Sequence, residues 1–322
     1  MFVEEVQARV YRIRTPFDKT GTVFLYVLKG DRVALIDTGA SDSPETVLVP
    51  ALAEIGLGLS DIDLILNTHA HLDHSGGNAD TKRRSGGRVR IHVHAQDLPM
   101  ATSNEVQVEF HCAPLRTLEF PAEVIAQRAR HVRDNAGEPA GADAVLVDGE
   151  RIDLGRGVRL TVVHVPGHTP GHVAYHWEAE GVLFTGDAIQ GQGARPGSYP
   201  YYFDASSYRR SLTRMADLGV RTLCLGHAYH GGSLCNLPTR TGTDAAALVQ
   251  ASMAAADTIH RAARQALRQY PGGSRREIAQ AALEELLYEI PQLRMRQTGF
   301  PLLGGPTLLA HIDAAAAGAY PH

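Results

Sequence analysis

Three imidazoles and a carboxylate fall within six positions of one another in Asn67-Thr68-His69-Ala70-His71-Leu72-Asp73-His74-Ser75-Gly76-Gly77. Nitrogen and carboxylate donors at this density suit a divalent metal ion. They stand directly behind an apolar run, Ile62-Asp63-Leu64-Ile65-Leu66, that has the composition of a buried strand. If the strand ends near Asn67 and a helix opens between Asp73 and Gly77, the turn aims His69 and His71 at one point and Asp73 and His74 at a neighbouring one. Two ions could then sit side by side. A polar loop at a strand end would be the plainer reading, but it gives no reason for three histidines.

Further donors follow the same rule of placement. Pro166-Gly167-His168-Thr169-Pro170-Gly171-His172 comes after an apolar run, Val158 to Val165, and its prolines and glycines fix a sharp loop that can hold His168 toward the first metal position. His172 and His176 are expected to make outer or buried hydrogen bonds. Val182-Leu183-Phe184-Thr185-Gly186 ends in Asp187, and Leu223-Cys224-Leu225-Gly226 ends in His227. Val33 to Ile36 ends in Asp37, which could orient a metal-bound histidine through a hydrogen bond or simply close a turn. One such strand end is weak; four that each terminate in a potential ligand are not, because ligands of open α/β proteins gather at one edge of the sheet.

The elements that must position these residues are strands and helices in alternation. Val6 to Ile13 and Val23 to Leu28 read as strands separated by a turn from Thr15-Pro16 to Gly21, and Glu45 to Ile55 reads as a helix stopped by Gly56 to Gly58. Val89 to Val93 reads as a further strand, whose His92 and His94 are structural. From Gln96 to about Gly141, Pro99, Pro114, Pro121 and Pro139 break the pattern into short helical pieces, an insertion near the mouth of the site. Val145 to Ile152 and Val158 to Val165 read as a pair of strands. Asp244 to Gln269, Ser274 to about Glu289 with its Ser274-Arg275-Arg276-Glu277 capping box, and Pro306 to Ala317 read as helices. The division expected is a catalytic domain over 1–240, with the insertion at about 96–141, and a helical extension over 241–322. Whether those last helices cap the site or form a homodimer surface stays open in the pattern.

Composition narrows the partners. The 322 residues carry 31 Lys and Arg against 35 Asp and Glu, a net charge of -4, with no basic run to track a nucleic-acid backbone. The three cysteines, Cys112, Cys224 and Cys235, lack CxxC spacing and fit a reducing compartment. The first residues are acidic where a signal peptide would be basic, and no apolar stretch reaches membrane-spanning length. A cytoplasmic protein with a small-molecule substrate, no nucleic acid and no membrane is expected.

Taken in order, IDTG, THAHLDH, PGHTPGH, TGD and LGH resemble the motifs of the metallo-β-lactamase superfamily, over about residues 8 to 230. The resemblance implies an α/β fold, an αββα sandwich with the helical extension at its C-terminus. It implies that His69, His71 and His168 bind a first metal, that Asp73, His74 and His227 bind a second, that Asp187 bridges them, and that Asp37 orients a ligand. The two divalent ions would be zinc in the first place, with iron and manganese accepting the same donors. The activity implied is hydrolysis of an ester-like carbonyl, a thioester or a lactone, by a metal-bridging hydroxide, with Asp73 or Asp187 carrying the proton.

The motif details resemble glyoxalase II, lactonase and thioesterase branches more than true β-lactamases. His71 stands where flavodiiron oxidoreductases carry Glu, and the interval from Asp187 to His227 leaves no room for the extra domain of the nucleic-acid processing branch. The tail resembles, in placement, the C-terminal helices of glyoxalase II and of the quinolone-pathway thioesterase, without a matching glutathione signature. Gln190 to Phe203 starts at the bridging ligand, so it is expected to line the pocket, with Arg195 as an anion contact and Tyr199, Tyr201 and Tyr202 as an aromatic wall or oxyanion donors. The competing reading fastens those aromatics to the core. Two other functional classes stand beside the hydrolase: a mononuclear iron persulfide dioxygenase, and a metal-stabilised binding or regulatory protein.

Overall fold

Near-continuous apolar runs, whose successive side chains face opposite ways, place each central strand between two layers. The computed structural model describes residues 3–17, 21–194, 198–231, 237–289 and 304–321. One sheet runs in chain order through seven strands: β1 (Val3–Gln7), β2 (Val10–Phe17), β3 (Gly21–Lys29), β4 (Val33–Ile36), β5 (Leu64–Leu66), β6 (Arg90–His94) and β7 (Ala144–Leu146). Its first four strands pair antiparallel, and β4 to β7 pair parallel. The second sheet has six: β8 (Arg151–Gly155), β9 (Val158–His164), β10 (Val173–Trp177), β11 (Val182–Gly186), β12 (Thr222–Leu225) and β13 (Thr239–Thr241), in the reverse spatial order.

The alternation can be followed residue by residue. Ala34, Ile36, Leu64 and Leu66 of the first sheet meet Leu160, Val162, Tyr175 and Phe184 of the second in a core between the sheets. The residues between them, Leu35 and Ile65, point to the other face and pack under Leu48, Ala51 and Leu52 of the segment that contains α1 (Val49–Glu54). On the second sheet Leu183, Leu223 and Leu225 face outward beneath helices α7, α8 and α10, defined below. The result is the expected αββα sandwich.

Three sequence expectations change. Val6 to Ile13 is not one strand: the chain reverses at Ala8-Arg9, with Arg9 at φ 72, and Thr15-Pro16 lies inside β2 rather than in a turn. Val145 to Ile152 is split between the sheets, since β7 pairs with β6 while β8 pairs with β9. Residues 96–141 are not irregular. After α2 (Leu72–Ser75), α3 (Asn78–Arg84) and the short α4 (Leu98–Thr102), they form a helical hairpin, α5 (Asn104–Thr117) and α6 (Ala122–Ala136). α5 runs through Pro114 because the buried stripe Val108, Cys112 and Leu115 repeats at helical spacing. Val108 and Cys112 pack with Val132 and Ala136 of α6 onto Leu72 of the histidine motif.

The remaining helices are α7 (Ala205–Ala216), α8 (Gly242–Gln269), α9 (Arg275–Glu289) and α10 (Gly305–Ala317). The capping box is formed as expected: Ser274 N donates to Glu277 Oε2 at 2.8 Å, and Glu277 N donates to Ser274 Oγ at 3.2 Å. Ile259, Ala263, Leu283, Leu286 and Ile312 of α8, α9 and α10 share one core with Leu118 and Tyr199. Among the described residues no helix is long and apolar enough to cross a membrane.

Candidate metal centre

β4 and β5 pair parallel, as do β11 and β12, so the ends of these strands deliver their next residues to one edge of the sandwich. Asp37 follows β4, His69 and His71 lie just past β5, Asp187 follows β11 and His227 lies two residues past β12. α2 opens at Leu72 with His71 as its N-cap, which sets Asp73 and His74 in the first turn. β9 is antiparallel to β10, which is antiparallel to β11, so the loop carrying His168 leaves at the same edge.

There the donors meet in overlapping groups. Ligand atoms of His69, His71 and His168 lie within 4.8 Å of one another, and so do those of Asp73, His74 and His227, and those of His69, His74 and Asp187. His69 Nε2 and His168 Nε2 are 3.2 Å apart. Asp187 stands between the groups, its Oδ2 at 3.6 Å from His168 Nε2 and 3.5 Å from His227 Nε2, and its Oδ1 at 3.5 Å from His74 Nε2. His227 Nε2 is 3.2 Å from Asp73 Oδ2.

The outer nitrogens fix which inner nitrogens are free. His168 Nδ1 donates to the carbonyl of Tyr201 at 2.5 Å, and His227 Nδ1 donates to that of Thr22 at 2.6 Å. His74 Nδ1 donates to Asp37 Oδ2 at 2.8 Å. Thr68 Oγ1 donates to the same carboxylate at 2.7 Å, so it accepts from His69 Nδ1 at 3.0 Å. With a proton on each Nδ1, a neutral ring presents the lone pair of Nε2 inward, the form in which imidazole binds a metal. Asp37 holds its place at φ 60, a conformation short polar residues tolerate, and Thr68 N secures its other oxygen at 2.8 Å.

For His69, His71 and His168 the electrostatics agree. Burial pushes His69 and His71 well below the usual imidazole range, and the neighbouring imidazoles add to it; burial also lowers His168. Burial opposes ionisation of Asp73, but His74 and His227 hold its carboxyl below the usual range. His74 Nε2, His71 Nε2 and Asp187 Oδ1 are buried without a hydrogen-bond partner among the described residues. Buried polar atoms left unpaired are costly, and inward donors of imidazole and carboxylate type fit divalent cations.

His172 stays out of the cluster. Its Nε2 accepts from Asp187 N at 3.0 Å and its ring stacks on His69 at 4.7 Å, the outer role expected from its position. A cavity of about 470 Å³ opens over the cluster, lined by His71, Asp73, His168, Asp187 and His227 and by Tyr199 and Tyr201. Tyr202 is not in that wall. It is fully buried, stacked on Tyr208 at 3.9 Å and bonded through its hydroxyl to His311 Nε2 at 2.7 Å, because α10 covers its side of the loop. Arg195 lies outside the described residues.

Four residues carry parts the sequence did not reveal. Asp97, just past β6, accepts from Ala70 N at 3.0 Å, Thr169 Oγ1 at 2.7 Å and Gly171 N at 2.7 Å, and thereby ties the two histidine loops together. The signal was an acid after a strand, as at Asp37, blurred by the intervening Ala95-Gln96. Gln190 Nε2 donates to the carbonyls of Asp187 at 3.0 Å and Tyr201 at 2.7 Å, and its Oε1 accepts from Tyr201 N at 2.5 Å. His111 and Arg128 reach the cavity from α5 and α6, and only the tertiary fold brings them there.

The atrochrysone carboxyl ACP thioesterase of Pseudocercospora fijiensis is 25% identical over 253 residues, 77% of this chain and 60% of that protein. The hydroxyacylglutathione hydrolase of Rhodospirillum rubrum is 28% identical, over 57% of each chain. This chain therefore spans about 60% of the length of such relatives. The crystal structure of a metallo-β-lactamase family protein from Thermus thermophilus superposes with a TM-score of 0.71 at 25% identity, covering 98% of this chain and 95% of that one. The family model of the metallo-β-lactamase superfamily matches residues 18–227, a span that holds every residue of the cluster, and the chain belongs to that superfamily.

Proposed function

We propose that this superfamily hydrolase is a dinuclear metal enzyme that cleaves an ester-like carbonyl, a thioester before a lactone. The observation that carries the reading is the convergence of seven donors, four of them histidines whose outer nitrogens are already committed elsewhere. His69, His71 and His168 would hold one ion, Asp73, His74 and His227 the other, with Asp187 shared. Zinc suits the donor set best, and iron or manganese would be accepted. Such ions supply a water acidic enough to ionise near neutral pH and polarise the carbonyl to be attacked.

The chain's own groups do the rest. Tyr201 O and Thr22 O keep the protons of His168 and His227 on the outer nitrogen. Asp73, held ionised beside His227, and Asp187 are the carboxylates placed to accept and pass on the proton released in the hydrolysis. Tyr199 and Tyr201 give the cavity an aromatic wall against which the substrate can lie. The relatives named as an ACP thioesterase and a hydroxyacylglutathione hydrolase favour the thioester over the lactone.

The test is metal analysis of the purified protein beside a panel of thioesters and lactones. About two ions per chain with thioester turnover that His71→Ala abolishes is the expected result. A single iron per chain with oxygen uptake on a persulfide would overturn it, as would a metal-loaded protein inert toward every ester in the panel.

A further inference from the structure

One wall of the cavity carries a cation without a counter-charge among the described residues. On the α5–α6 hairpin Arg133 pairs with Glu105 at 2.9 Å and Arg116 pairs with Glu109. Arg128 has no such partner among the described residues. It lines the cavity, half-buried, and its Nη2 donates to His111 Nδ1 at 3.1 Å. A guanidinium has only hydrogens to offer, so His111 Nδ1 is the acceptor there, and the proton of the neutral ring sits on Nε2. Tyr201 Oη is 2.9 Å from the same Nδ1, which fixes the ring between helix and loop.

His111 is 2% exposed and its ring centroid is 4.6 Å from that of His71. Its Nε2 is buried with no hydrogen-bond partner among the described residues. One wall of the cavity therefore joins a charged guanidinium, which among the described residues keeps donors beyond its contacts with His111 and Tyr201, to an unspent imidazole N–H. The buried imidazole N–H is costly until an acceptor arrives, and the guanidinium beside it favours an acceptor of opposite charge. Of the remaining lining, Phe17, Leu72, Tyr199 and Tyr229 are largely apolar, His131 of α6 adds an imidazole, and Arg128 is the one guanidinium or ammonium group among the described lining residues.

We infer that Arg128 and His111 form a binding subsite for an oxyanion, a carboxylate or phosphate group that the substrate carries in addition to the carbonyl under attack. The inference rests on the hydrolase reading for the identity of that carbonyl, but the subsite itself can be measured without turnover. The anion can lie on the acyl group or on the departing thiol; the guanidinium chemistry is the same for both.

Three thioesters separate the cases: the succinyl and the butyryl thioester of N-acetylcysteamine, and the butyryl thioester of 3-mercaptopropionate. At least one of the two anionic compounds should exceed the neutral one in kcat/KM by about 10-fold or more, the worth of a charged hydrogen bond. That ratio should fall to near unity in Arg128→Met and to an intermediate value in Arg128→Lys, which keeps a point charge but not the fork. Preference for succinyl puts the anion on the acyl side, and preference for the mercaptopropionate ester puts it on the thiol. In parallel, calorimetric titration of the zinc-loaded protein with succinate, glutarate, adipate and butyrate should show a dicarboxylate binding more tightly than butyrate, with the difference lost in Arg128→Met.

Equal loss of kcat/KM for all three thioesters in Arg128→Met would make Arg128 a mere support for His111 and Tyr201 and overturn the subsite, as would dicarboxylate binding that ignores the substitution. If no thioester is turned over while dicarboxylate binding still depends on Arg128, the subsite stands and the hydrolase reading falls.

Discussion

Asp37 Oδ2 accepts the Nδ1 proton of His74 at 2.8 Å and also takes the hydroxyl proton of Thr68, whose oxygen in turn accepts from His69. One carboxylate thus orients a histidine of each proposed metal position. It does so from the end of β4, a strand whose other duty is to fill the core between the sheets.

Replacing Asp37 should therefore disturb both ions at once. Asp37→Ala leaves His74 Nδ1 without its proton acceptor and releases the Thr68 hydroxyl that accepts from His69 Nδ1, and losses of this kind weaken metal binding by about 10–100-fold. Competition with a chelator, monitored with the protein's circular dichroism, measures the effect. Equal chelator sensitivity in wild type and variant would show that Asp37 merely closes a turn, the other reading of its position.

Metal uptake should release protons. Burial opposes charge on His74, but Asp187, Asp37 and Asp73 outweigh it and raise this imidazole to about 10 in the metal-free chain. His227 is raised in the same way by Asp187 and Asp73 against its burial. A free imidazole titrates near 6.5. A raised value means that the charged histidine stabilises the metal-free fold fully below about pH 6.5 and that this contribution is lost as pH climbs through about 10. The metal-free protein should therefore melt at progressively lower temperature across that window, while metal affinity rises with pH because the ion no longer displaces a proton. Calorimetry at pH 7.5 in buffers of differing ionisation enthalpy should report about one or more protons released per chain filled. Zero release at that pH would contradict the charged state assigned to His74.

Much of this site was legible in the sequence because its donors sit at strand ends, where an apolar run stops and a polar residue begins. His69, His71, His168, Asp187 and His227 all announce themselves in that way. The αββα sandwich was implied by the resemblance of the motifs, and the strand, helix, strand order was consistent with it. What stayed hidden depends on contacts between segments remote in sequence. His111 and Arg128 lie on helical faces whose periodicity says which side is buried but not what it is buried against. Pro114 made α5 look broken, although Val108, Cys112 and Leu115 kept its period. Tyr202 could not be told from Tyr201, since alternate residues of a loop face opposite ways and only α10 decides which way is covered.

Gly226 is a position where size alone decides the site. A Cβ there would stand 2.5 Å from Asp187 Oδ1 and 2.9 Å from His74 Cε1, inside the cluster rather than beside it. Gly226→Ala should fold, because the backbone bonds from Phe24 N to Gly226 O and from Gly226 N to Gly186 O need no side chain. It should nonetheless lose metal, with affinity down by about 10-fold or more, since displaced ligands no longer converge. Gly58→Ala, whose Cβ meets nothing closer than 3.7 Å, is the matched control and should keep its metal. Full metal occupancy in Gly226→Ala, read by elemental analysis, would mean that Asp187 and His74 have more freedom than this packing implies.

The C-terminal helix should matter to the first metal position without touching it. Thr307 Oγ1 donates to Pro200 O at 2.8 Å and accepts from Tyr202 N at 3.1 Å, so α10 grips the loop on both sides of Tyr201. Tyr201 O is the acceptor that orients His168, and Gln190 braces it from within. Thr307→Val keeps the volume but removes both bonds and leaves a buried amide and a carbonyl unsatisfied, at a cost of about 1–3 kcal/mol. A lower melting temperature alone would describe only a weaker contact. The specific expectation is that the zinc-loaded variant surrenders about one ion per chain to a chelator more readily than wild type, while the ion at Asp73, His74 and His227 is held as before. If both ions leave together, or neither leaves earlier, then α10 stabilises the loop without setting the geometry of His168.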